Sequence, residues 1–148
     1  MPPHAARAGD TKLGPIYIRM ASPAQIRGVF RVLAEEPSGE SIKLLRLMIE
    51  TEDFEKVKQM SLLYDTYLRK DVLQPLAKRL GPDEAEATRI SDEVLETFKG
   101  INKAAKRSDK ARCLELANAL VPLINRYGAL EPGANFRAAE AAKLGLAQ

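Results

Sequence analysis

Apolar residues recur along most of this chain at three- and four-residue spacing, the signature of amphipathic helices, and almost no stretch alternates with the period of two that marks a strand. The first clear run begins at Ser22. Its hydroxyl can accept from the backbone N–H of Gln25, the Gln25 side chain can reach back, and Pro23 takes the first helical position, where no donor is needed. Ile26, Val29, Phe30 and Leu33 form one face; "EEPSGES" interrupts the arm at residues 37–39, and Ile42, Leu45 and Ile49 resume it. The longest helix is predicted over 51–80. Acidic residues open it at the positive end of its dipole, Lys78, Arg79 and Gly81 close it, and Pro75 should kink it. Its inward stripe is Phe54, Val57, Ser61, Tyr64, Leu68, Val72, Leu76 and Leu80. A third arm starts at Asp83 and Glu86, which have capping-box spacing, and carries Ala87, Ile90, Val94, Phe98, Ile101 and Ala105 on one face. A fourth, capped by Ser108 or Asp109, turns Cys113, Leu116, Ala117, Leu120, Ile124 and Tyr127 inward, bends at Pro122 and stops at Gly128.

Four such arms joined by short turns predict an all-α fold, an antiparallel up-down-up-down four-helix bundle over residues 22–130. Residues 1–21 are expected to form an N-terminal arm, mobile and aperiodic over its first dozen residues and extended through Ile16, Tyr17 and Ile18, which favour strand-like backbone. Residues 131–148 are expected to be a short, Ala-rich helical tail, stable only when docked.

The length of 148 residues fits one domain with its own core, so no disulfide or metal staple is needed. Cys113 is the single cysteine and reads as a small buried hydrophobe. Lysine and arginine exceed aspartate and glutamate by 23 to 20, a surplus too small and too evenly spread for a nucleic-acid arm. No apolar run approaches the length of a membrane span, and the first residues lack the layout of a secretory signal. The chain is therefore expected to be soluble, a mature form with its targeting peptide removed.

The acids Glu84, Glu86, Asp92, Glu93 and Glu96 invite comparison with carboxylate-bridged metal bundles, but those need Glu-x-x-His on two helices, and the single histidine is His4. No helical histidine stands ready to activate Ser61, Ser91, Ser108 or Cys113, and no phosphate-cradling glycine motif occurs. The expectation is a non-enzymatic protein that binds no cofactor or metal directly.

Two features remain as candidate partner contacts. "KAAKRSDKAR" gathers Lys103, Lys106, Arg107, Lys110 and Arg112 around the third turn; it reads either as a solvated helix end or as an electrostatic docking patch for an acidic protein surface. No aromatic residue interleaves with these cations, which argues against nucleic acid. The segment "IYIR" (Ile16, Tyr17, Ile18 and Arg19) either packs along the bundle or reaches to a partner. Within "YDTYLRKDV", Tyr64 and Leu68 are expected to face the core, Tyr67 to meet Asp71, and Arg69 and Lys70 to point away, a half-buried shoulder and not a reactive centre.

Three stretches in order resemble the PsbQ family, extrinsic proteins of the oxygen-evolving complex of photosystem II. "YIRMASP" is similar to that family's Tyr-Ile-x-x-x-Ser-Pro entry into the first helix. "LMIETEDFEKVKQMSLLYDTYLRKDVLQPL" resembles its Leu-Ile-Glu, aromatic, Val, Tyr-Leu-Arg-x-Asp-Leu helix, and "GINKAAKRSDKAR" its Leu-Asp-x-Ala-Ala-Lys turn. The resemblance spans about residues 16–130. It implies a non-catalytic subunit in the chloroplast thylakoid lumen, peripheral on the membrane, that contacts the photosystem II core and other extrinsic subunits and helps the host complex retain calcium and chloride. Phe54 stands where plant members usually carry Trp, "EEPSGES" inserts residues into the first arm, and the tail has no counterpart; together with the short N-terminus these departures suggest an algal plastid form. A PsbQ-like subunit of another thylakoid assembly, such as the NDH complex, and an unrelated helical adaptor are the competing readings.

Overall fold

The computed structural model describes residues 14–132, and every regular element among them is helical. Pro15–Met20 form α1, Pro23–Glu35 α2, Glu40–Glu50 α3, Phe54–Asp65 α4, Gln74–Ala77 α5, Glu84–Lys106 α6 and Lys110–Gly128 α7. The mobile arm expected over the first dozen residues, and the tail beyond residue 132, lie outside the described residues.

The first arm starts and breaks where the sequence indicates. Ser22 Oγ accepts from Gln25 N–H at 3.2 Å while Gln25 Oε1 accepts from Ser22 N–H at 2.7 Å, a complete capping box. A 3-10 turn over Glu36–Ser38 separates α2 from α3. Tyr64 of α4 donates to Glu36 Oε2 at 2.9 Å, tying this break to the second arm.

The second arm departs from expectation in its middle. Thr66–Leu73 wind as a π-helix between α4 and α5. Pro75 supplies a reason: it has no N–H to donate, and its ring crowds the carbonyl four residues back, so widening the preceding turns relieves the clash without breaking the arm. The widened turns also bury Arg69 and Leu73 beside Leu68 and Val72. Arg69 therefore does not point away as its α-helical position predicts. Its Nε and Nη2 donate to the two Asp65 carboxylate oxygens at 2.7 and 2.8 Å, a bidentate pair with side chains only 10% and 15% exposed.

α6 packs against both α4 and α7, and α7 in turn against α2 and α3. Tyr64 meets Phe98 edge-on at 5.2 Å, Phe30 stacks on Tyr127 at 6.3 Å, and Tyr127 Oη donates to the backbone carbonyl of Leu73 at 2.6 Å. Cys113 is fully buried with its thiol near the Ile101 carbonyl; burial, aided by Asp109, pushes that thiol above its ordinary pKa. One cap differs from expectation. Asp83 makes no side-chain bond at the start of α6, because a 3-10 turn over Gly81–Asp83 leads into that helix instead.

The segment expected to be extended is also helical. α1 starts on Pro15 and packs against α5 and the π-helix. Ile18 is fully buried, and Arg79 Nη1 donates to the Ile18 carbonyl at 2.8 Å. The local β preference of Ile and Tyr loses to burial of one isoleucine and capping of one carbonyl.

Candidate functional site: a basic end beside an apolar groove

α6 ends in Lys103 and Lys106, cations that complement the negative end of its dipole. Arg107 follows, then Ser108 in a left-handed conformation (φ 55°), and Asp109 caps α7 by accepting from Arg112 N–H at 3.0 Å. The turn from α3 to α4 is built alike: Glu52 is left-handed (φ 57°) and Asp53 accepts from Lys56 N–H at 3.4 Å. The two turns lie side by side, because Lys110 Nζ sits 3.5 Å from Glu50 and 4.0 Å from Glu52.

These contacts divide the five predicted cations. Lys110 is held by Glu50 and Glu52, and Arg112 Nη1 bonds Glu115 at 2.8 Å. Lys103, Lys106 and Arg107 are exposed and make no ion pair with another described residue. Exposed cations without a partner at hand are the condition for long-range attraction.

Beside them runs a groove of about 460 Å³ between α4 and α6. Leu62, Leu95 and Phe98 give it apolar walls, and Lys99, Lys103 and Lys106 stand along its α6 edge. Asn102 holds the two helices in register, its Nδ2 donating to the Lys58 carbonyl at 3.3 Å and to Ser61 Oγ at 3.4 Å. Leu62 is 64% exposed and its neighbour Leu63 51%. The sequence carries a signal for this groove in the doublet Leu62–Leu63, which lies off the inward stripe, but no spacing argument singles it out.

The other predicted contacts lie elsewhere. Ile16 and Arg19 are exposed and Tyr17 is half-buried, whereas Ile18 belongs to the core and is not available to a partner. α1 sits beside Thr88, Ser91 and Asp92 of α6. Thr88 precedes Lys103 by fifteen residues, about 22 Å of helix rise, so "IYIR" and the basic turn do not form one surface.

No helix among the described residues is long and apolar enough to cross a membrane. The chain matches no known protein family, no curated protein and no solved structure.

Proposed function

We propose that this chain is a non-catalytic, extrinsic subunit of the PsbQ type, docked on the lumenal, oxygen-evolving side of photosystem II, where it supports calcium and chloride retention by the complex. We also propose that its arms run up-down-up-down: Lys110 meets Glu50 at one end, and Arg126 near the end of α7 meets Glu86 and Glu93 in the first half of α6. The observation that carries the docking reading is the set Lys103, Lys106 and Arg107, unpaired among the described residues and adjoining an apolar groove. Charge steers such a protein to an acidic surface, and burial of Leu62 and its neighbours would hold it there. The ordered resemblance of three sequence stretches supports photosystem II as the host.

The test reverses Lys103, Lys106 and Arg107 to Glu together. Binding to photosystem II membranes stripped of extrinsic proteins should fall about tenfold or more and lose its salt dependence, with helicity unchanged. Undiminished binding would refute the docking face. Lys110 is left out because reversing it would set a third acid beside Glu50 and Glu52. Parallel binding to the NDH complex separates the photosystem II reading from its thylakoid alternative.

A further inference from the structure

Away from the basic end, α1, the π-helix with α5, and the first half of α6 enclose a second cleft of about 380 Å³. Its wall carries three cations, Arg19, Lys70 and Lys78, against one acid, Asp92. All three cations are exposed and none makes an ion pair with another described residue, although Lys70 also acts electrostatically on its neighbour Asp71. Asp92 acts electrostatically on the buried Arg69, so its charge is shared with a cation outside the cleft lining.

Ser91 gives a second, independent indication. It is 1% exposed and contributes to the cleft wall, yet its hydroxyl has no hydrogen-bond partner among the described residues. A helical serine can bond a carbonyl one turn back, and a buried hydroxyl that bonds nothing weakens the fold. Its presence in a cationic wall is explained if a ligand supplies the acceptor.

The backbone explains why these groups converge. Lys70, Gln74 and Lys78 follow one another at four-residue steps, which share one face of a helix, so the second arm presents all three to the cleft. α1 closes the opposite side through Pro15 and Arg19, fastened by the Arg79 bond to Ile18. Three cations, the Gln74 amide and the hydroxyls of Thr88 and Ser91 make a donor-rich site suited to an anion with several acceptor oxygens. The volume is that of a small-molecule site and far exceeds a bare halide ion.

We propose that this cleft binds a small phosphate-bearing dianion, held by Arg19, Lys70 and Lys78 with Ser91 as a hydroxyl donor. The chemistry is shared by free inorganic phosphate and by a phosphate monoester, and the volume leaves room for the organic part of the latter.

The full chain is titrated by calorimetry with inorganic phosphate and with glycerol 3-phosphate, at ionic strength fixed by sodium chloride. Saturable binding is expected. In the Lys70→Gln/Lys78→Gln variant it should weaken about tenfold or more, from loss of charge-assisted bonds, while melting stays unchanged because both side chains are exposed. Lys103→Gln/Lys106→Gln, at the basic end, should bind as the parent does. Ser91→Ala should melt higher without ligand and bind phosphate several-fold more weakly, opposite signs that a purely structural serine would not give. Tighter binding of glycerol 3-phosphate identifies a monoester site, and equal binding a free-anion site. Absence of saturable binding, or equal losses in the two lysine double variants, would overturn the proposal.

Discussion

The Tyr64 phenol and the Glu36 carboxylate meet across 2.9 Å, joining the point where the first arm breaks to the middle of the second. Burial raises the Glu36 pKa above its ordinary 4.5, and the bond from Tyr64 offsets only part of that rise. The phenol is driven far above its own range, by burial first and by the Glu36 charge second, so it remains a donor throughout the accessible pH range.

A carboxyl with a raised folded pKa favours the folded state below its unfolded pKa and gives that contribution up as pH rises through the folded value. Glu36→Gln keeps an acceptor for Tyr64 and removes the partly buried charge. It should stabilise the protein at pH 7 by on the order of 0.5 kcal/mol, a small gain because water screens the site. The advantage should close as pH falls toward 4.5, where Glu36 itself becomes neutral. Melting curves across that window check both points; a constant difference would refute the assignment.

Tyr127→Phe keeps the ring against Phe30 and loses the bond to the Leu73 carbonyl. A cost of about 1–2 kcal/mol is expected in denaturant unfolding, from removing a partner of a buried carbonyl. A neutral result would mean that the carbonyl finds another donor.

Asp65→Ala takes both hydrogen-bond acceptors from the Arg69 guanidinium, whose side chain is 10% exposed, and leaves it only the electrostatic influence of Asp92, which should cost about 3 kcal/mol. Arg69→Met leaves Asp65 unpaired instead, but that carboxylate lines the open groove between α4 and α6, where water can reach it, so the cost should be smaller. Reversal of that order would show that the pair contributes through its packing and not through its charge.

Deletion of residues 1–19 removes Ile18 from the core and leaves Arg79 without the Ile18 carbonyl. Exposing the surface that one buried isoleucine covers costs about 2 kcal/mol, so the melting temperature should fall by several degrees. An unchanged melting temperature would mean that α1 contributes little to the fold.

Much of this architecture is legible in the sequence because α6 and α7 are regular, and their buried faces follow the spacing a 3.6-residue turn dictates. Ser22 announces itself as a cap, and Asp109 as one of two candidates beside Ser108, because capping is local. α1 escapes prediction because its helicity depends on packing against α5 and the π-helix and on a guanidinium more than sixty positions away, more than on the propensities of Ile16, Tyr17 and Ile18. The phosphate cleft is hidden likewise, drawing on residues 15–19, 70–78 and 88–92, which share no motif. The π-helix does leave a trace. Tyr64, Leu68, Val72 and Leu76 keep a spacing of four, and on an ideal α-helix such steps drift by about 120° from first to last. All four are buried, which a loosened winding between them accounts for.

That loosened winding constrains sequence length as well as shape. A π-helical stretch accommodates one more residue than the α-helix it replaces, so a kindred chain that winds regularly between Thr66 and Leu73 should be a single residue shorter there. The gap would fall beside Lys70, and its presence or absence in an alignment would report whether the neighbouring cations still converge.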